Sequence, residues 1–306
     1  MTDYSYTPET GFQMNTGFGF KTIWVIESLP DGDYRTGREL YDDTLVFYNI
    51  RDPELCVEFV EVVDRAGLFS VLQQVKSRVQ QTGQVPLLHL EAHGDVDGLQ
   101  LKHGEFITFE ELMAPLRDIN ILVQNNLFVV VAACRGAHLI KGIDLDKRSP
   151  VWGFCGPSRE ISADDVHHGY RAFYEEAVTS ANMNLALAKL KEAIPHCADH
   201  FHLLNSEYLF LLAYREYFTQ TTTPQAIEER INRLSATLRA ELPGPMDWHE
   251  AERMLQVRFG TEEGWRSDFE RLKANFFFHD LYPAGASLPN PTYEDAMRFT
   301  MLSDSQ

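Results

Sequence analysis

Two residues of this 306-residue chain have the types and surroundings that acyl transfer needs, Cys134 and His93. Cys134 ends the apolar run Leu127-Phe128-Val129-Val130-Val131-Ala132-Ala133 and is followed by Arg135 and Gly136. A thiol attacks as its thiolate, so a nucleophilic cysteine needs a base or a cation beside it. His93 ends a second run, Leu87-Leu88-His89-Leu90-Glu91-Ala92, and is followed by Gly94 and Asp95. Attack on a carbonyl also needs N–H donors aimed at the developing oxyanion. A glycine after the base leaves the backbone open, so Gly94 N–H and Cys134 N–H are the predicted donors. Gly136 is predicted to permit the tight turn that exposes the sulfur.

These residues must be held by strands. The β-branched run before Cys134 predicts a strand buried on both faces of a parallel sheet. Open α/β sheets place ligands at the carboxyl ends of such strands. Two parallel neighbours ending in His93 and Cys134 therefore bring the pair to one edge. The 41 positions from 93 to 134 hold a hairpin around Lys102-His103-Gly104, a helix and a strand. Thr108 and Glu111 form a capping box opening that helix, whose stripe is Phe109, Leu112, Leu116, Ile119 and Val123.

Upstream, residues 21–29 and 55–63 read as strands, and Pro30-Asp31-Gly32-Asp33 breaks the first of them. Residues 34–54 show only one apolar run, 45–50. Residues 66–81 are an amphipathic helix with Leu68, Leu72, Val75 and Val79 on one stripe. Downstream, 151–155 reads as a strand, and Ser162 caps a helix whose apolar positions include Val166, Tyr170, Phe173 and Ala177. The alternation predicts an α/β fold: a mostly parallel sheet sandwiched by helices. From about residue 183 no strand is expected, and helices are predicted over 185–194, 203–218, 224–242, 248–259 and 262–279. Pro224 stands at a first helical position, and Pro243-Gly244-Pro245 is a stop. The domain reading is a loose arm over 1–20, a core over 21–180 and a helical C-terminal region over 181–306.

The two site runs together resemble the caspase-type cysteine peptidases, the fold shared by caspases, metacaspases, separases and bacterial CHAT peptidases. The caspase pattern is Gln-Ala-Cys, then Arg, Gln or Gly, then Gly, with the histidine upstream. Ala132-Ala133-Cys134-Arg135-Gly136 stands here. Leu88 to Asp95, with Gly98 and Thr108-Phe109-Glu110-Glu111-Leu112, is most similar to the bacterial CHAT-type members. The resemblance covers residues 20–180 and leaves 181–306 unexplained. It implies that His93 is the catalytic base, that Cys134 is the nucleophile, and that Gly94 and Cys134 build the oxyanion hole. It also implies a regulated bacterial effector, with antiphage defence and cleavage of a partner such as a gasdermin among its settings. The position two before the cysteine, Gln in caspases and Asp in metacaspases, lines the specificity pocket and is Ala132 here. That removes the usual reason to expect cleavage after Asp, and equally the acid expected for cleavage after Arg or Lys. The loop 142–150 occupies the place of the caspase activation linker, and reads as exposed and cuttable at Lys147-Arg148.

Lys+Arg 27 against Asp+Glu 45 leaves a net charge of -18, which argues against nucleic-acid or anionic-membrane partners. The four scattered cysteines and the polar start predict a reduced, cytoplasmic protein. No cofactor is expected; a protein substrate is, and the helical C-terminal region is the expected dock for a regulatory protein. His196-Cys197-Ala198-Asp199-His200-Phe201-His202 reads as an inter-helix loop rather than a metal site. Phe276-Phe277-Phe278 reads as core, His89 as a supporting residue, and Asp95 and Asp97 as solvated loop acids. Two rival functions remain: a non-catalytic caspase-like interaction module, and a cysteine hydrolase acting on small molecules.

Overall fold

The computed structural model describes residues 19–241, 247–287 and 290–303. The expected arm up to residue 18, the Pro243-Gly244-Pro245 stop and the tail from residue 304 lie outside them. At the arm's end, Phe20 packs against the core.

The sheet is built from β1 (Thr22–Ser28), β2 (Cys56–Glu61), β3 (Pro86–Asp95), β6 (Phe128–Ala132), β7 (Gly153–Pro157) and β8 (Phe201–Asn205), in the order β2-β1-β3-β6-β7-β8. All pairs are parallel except β7–β8. Two short strands, β4 (Gly98–Gln100) and β5 (Phe106–Thr108), form the expected hairpin, which pairs with the far end of β3. The fold is thus α/β, a mostly parallel sheet flanked by helices with a helical C-terminal region.

Residues of alternate parity define the two faces. Ile23, Val25, Leu87, Phe128 and Val130 join Val166, Tyr170, Phe173 and Tyr174 of α5 (Ala163–Ser180) in one cluster. It continues into α6 (Met183–Ala193) through Met183, Ala186 and Leu190. Leu88, Leu90, Val129 and Val131 are equally buried. That leaves the opposite face to α3 (Arg65–Thr82) and α4 (Phe109–Leu122), which pack together with their predicted stripes buried.

The capping box at Thr108 and Glu111 is present. Glu111 also takes the Arg65 guanidinium, and these contacts hold its carboxyl down from the ordinary 4.5 to about 2. A depressed carboxyl stabilises the fold above its unfolded pKa, and that stabilisation fades as pH falls toward the folded one. Glu111→Gln is therefore expected to lower the urea midpoint at neutral pH, by a margin that closes between pH 4.5 and 2. A constant margin across that range contradicts the assignment.

Three expectations need correction. Residues 34–54 hold helices: α1 (Thr36–Leu40), a π turn Tyr41–Leu45 and α2 (Val46–Arg51). Burial there falls on Thr36, Gly37, Leu40, Thr44 and Leu45, a helical spacing that hydrophobicity does not reveal because only two of the five are large and apolar. Residues 201–205 form β8, a half-buried edge strand carrying His202 where a helix and loop were expected. The loop 142–150 is only partly exposed: Leu145, Ser149 and Pro150 are buried, and Asn120 donates to the Ser149 carbonyl at 2.9 Å.

The chain divides into two compact units, and the division falls inside α7 (Ser206–Thr221), between Leu209 and Phe210. The sheet unit therefore runs past residue 180 through α6 and β8. The second unit contains α8 (Pro224–Glu241), α9 (Trp248–Gly260), α10 (Glu262–Phe276) and α11 (Tyr293–Ser303). Its core is aromatic, with Phe210 5.4 Å from both Phe269 and Phe276 and 5.3 Å from Phe277. The Phe276-Phe277-Phe278 run is buried there as expected.

Candidate active site

The β3–β6 ladder sets the geometry. It aligns Leu87 with Phe128 and Glu91 with Ala132, and His93 and Cys134 each stand two residues beyond that last pair. At that point the strands part company. β3 leaves the parallel sheet and turns its last residues, His93 to Asp95, toward β4, while β6 has ended at Ala132. A cleft of about 260 Å³ opens between them, lined by Asp33, Tyr34, Glu91, His93, Ala132 and Cys134, with Ile161 and Val166 on its far wall. It lies at the carboxyl ends of β1, β3 and β6, beside the point where strand order reverses from β1–β2 to β1–β3, which is where open α/β sheets leave a crevice.

The turn that carries the thiol is tight. Gly136 N–H donates to the Ala133 carbonyl at 3.0 Å, and Arg135 takes the left-handed conformation at φ 60°. The residue with unusual backbone geometry is thus Arg135, not Gly136. Gly136 is needed for space, because a Cβ there meets the Val131 carbonyl oxygen at 2.5 Å. The Arg135 side chain pairs with Asp95 at 2.8 Å and Glu160 at 3.3 Å, tying the nucleophile turn to the end of β3 and to the loop before α5. The Cys134 thiol is half-buried and accepts from Ile161 N–H at 3.4 Å.

Gly94 lies opposite Leu99 in the β3–β4 ladder. A Cβ on it falls 2.1 Å from the Cys134 carbonyl oxygen, so the backbones carrying His93 and Cys134 approach this closely only because this residue is glycine. Ala132 is one of four alanines lining the cleft and stands where the specificity residue was expected.

Asp33 was not foreseen. Its carboxylate lies 2.7 Å from His93 Nε2, with the two side chains 41% and 52% exposed. It comes from the Pro30-Asp31-Gly32-Asp33 turn after β1, and only its position at the carboxyl edge of the sheet hints at a role. A carboxylate on an imidazole orients the ring and fixes its tautomer. Asp33→Asn is expected to cut turnover on the order of ten- to a hundredfold by loosening the base. Unchanged kcat/KM in that variant removes Asp33 from the machinery.

His89 is fully buried below the cleft. Its Nδ1 lies 3.1 Å from the Tyr174 hydroxyl and its Nε2 3.0 Å from Glu91. It is a buried histidine held between strand and helix, and it does not line the cleft. Asp95 and Asp97 pair with Arg135 and Lys141 rather than with His93. Burial pushes the other thiols up: Cys155 to about 12, and Cys56 and Cys197 above their ordinary value. In the 196–202 segment, His196 pairs with Asp165 at 2.9 Å and the Cys197 thiol lies beside them, while His202 binds Ser158 at 3.0 Å. Asp165, His196 and Cys197 make three donors from two elements, one short of a closed structural zinc set.

Among the described residues no helix is long and apolar enough to cross a membrane. No family model and no curated protein matches the chain. Among solved structures, the crystal structure of Chaetomium thermophilum Raptor aligns with 96% of this chain and 34% of its own length, at 11% identity and a TM-score of 0.31. The chain thus spans about a third of that protein, and a likeness so slight leaves fold and site to rest on the chain's own residues.

Proposed function

We propose that the chain is a cysteine endopeptidase of the caspase/CHAT kind. One observation supports this reading: His93 and Cys134, each two residues past the last β3–β6 pair, line one cleft. His93 takes the proton from the Cys134 thiol, and the thiolate adds to the carbonyl carbon of the scissile peptide. Gly94 and Cys134 N–H groups receive the oxyanion. The C–N bond then breaks, His93 returns its proton to the leaving amine, and a thioester remains on Cys134. Water attacks the thioester with His93 as base, the carboxylic acid departs, and the thiol is restored.

On the same reading the enzyme is a cytoplasmic bacterial effector, with antiphage defence and a gasdermin-like substrate as its setting. A regulatory protein docks on the helical C-terminal region. These features follow from the family resemblance. The direct test is alkylation with iodoacetamide in wild type, Cys134→Ala and His93→Ala, followed by a peptide library. Selective labelling of Cys134 that falls when His93 is removed is expected. Equal labelling of all three proteins removes the catalytic reading, and turnover of small thioesters without any peptide cleavage favours a small-molecule hydrolase.

A further inference from the structure

A row of residues crosses the sheet just below the catalytic pair. The ladders align Glu27 on β1 with Glu91 on β3, and Glu91 with Ala132 on β6. The two acids are treated differently. Glu27 is fully buried and ion-paired with Arg35 at 2.6 Å, and it also accepts Arg38 N–H at 3.0 Å. Glu91 is 3% exposed, yet it lines the cleft. Among the described residues its ion-pairing partner is His89, and no Lys or Arg lines the cleft.

His89 links Glu91 to the helix face, its Nδ1 3.1 Å from the Tyr174 hydroxyl and its Nε2 3.0 Å from Glu91 Oε2. Gly37 N–H, at the start of α1, supplies a further donor. A Cβ on Gly37 lies 2.6 Å from Glu91 Oε2, so the backbone is pared back to seat this carboxylate. Glu91 is thus a positioned carboxyl with hydrogen-bond donors around it, and burial, with Glu27 beside it, pushes it up from its ordinary value. Its charged form is costly there until a counter-charge arrives.

We infer that Glu91 replaces the acid missing at position 132, so that the cleft accepts arginine or lysine as the residue before the scissile bond. This rests on the peptidase reading above and names its substrate class. The specificity acid has moved one strand over, from β6 to the register partner on β3. Ala132 now serves by being small, leaving space over Glu91 for a long side chain. Asp33, nearer solvent, adds a second negative charge at the cleft wall. At about 260 Å³ the cleft lies below the usual range for drug-sized ligands, which suits a single side chain. A guanidinium suits a carboxylate best, because its planar fork can give two hydrogen bonds at once.

The test uses the full chain and peptidyl ketone electrophiles that differ only in the residue beside the ketone: arginine, lysine, citrulline or leucine. Citrulline keeps the shape of arginine without its charge. Arginine and lysine probes are expected to label Cys134 at least tenfold faster than citrulline or leucine. Glu91→Gln should abolish that preference, so that the arginine and lysine probes label Cys134 no faster than the citrulline and leucine probes. Equal or faster labelling by citrulline or leucine in the wild type overturns the inference, and needs no variant to fold. So does the absence of labelling by every peptidyl probe while iodoacetamide remains selective for Cys134. If iodoacetamide itself shows no selectivity for Cys134, the peptidase reading fails instead.

Discussion

Cys134→Ala is expected to abolish peptide turnover, lowering kcat on the order of a thousandfold or more, as loss of a covalent nucleophile does. No other thiol can take its place. Cys155 is buried and pushed up to about 12, and among the residues lining the cleft Cys134 is the single cysteine. The fold should barely notice the change. The thiol is half-buried and its partner is a long contact from Ile161 N–H at 3.4 Å, so thermal stability should move by about 1 kcal/mol or less. This split, dead but folded, separates a catalytic cysteine from a packing one. Peptide turnover above a tenth of wild type in a folded Cys134→Ala protein sinks the covalent mechanism.

Gly94→Ala should be nearly as damaging by another route. The added methyl falls 2.1 Å from the Cys134 carbonyl oxygen and 2.9 Å from the Ala133 Cβ. The nearest atom is backbone, so no side-chain rotation relieves it. The end of β3 must shift away from the nucleophile turn, taking His93 and the proposed oxyanion donor with it. A loss on the order of 10²–10³ in kcat/KM is expected, the size seen when one oxyanion donor is removed. Overpacking should add a destabilisation of about 1–3 kcal/mol. Both are measurable, by steady-state cleavage and by urea unfolding. Activity within twofold of wild type contradicts the close approach.

The central fold was legible because its signals are strong and local. The apolar run before Cys134 and the periodic stripes of α3, α4 and α5 each point to one element, and Thr108 with Glu111 marks a helix start that the structure places there. The Thr36–Arg51 helices were missed because their buried stripe is built largely of Thr and Gly, which carry no hydrophobic period. β8 was missed because five edge residues with a histidine among them resemble a loop more than a strand. Strand ends and spacing were enough to bring His93, Gly94 and Cys134 to one edge of the sheet, where the cleft lies, while Ala132 was singled out only through the family resemblance. Asp33 could not, since its contact spans 60 residues and depends on which strand neighbours β3. Glu91 was hidden for the opposite reason. A charged residue inside an apolar strand shows in the sequence, but only the ladder reveals that it sits beside Ala132.

The burial of the remaining thiols bears on how such a chain ages in a cell. Peroxide reacts with cysteines according to thiolate character and access. Cys155 and Cys197 are shut away, and Cys56 is held up by burial and by Glu58, whereas Cys134 opens to the cleft. On the proposed mechanism, oxidative injury reaches the nucleophile while the core remains intact. Such a protein falls silent without unfolding. If the damage stops at the sulfenic stage, a reductant restores it, so activity would follow the redox state of its surroundings.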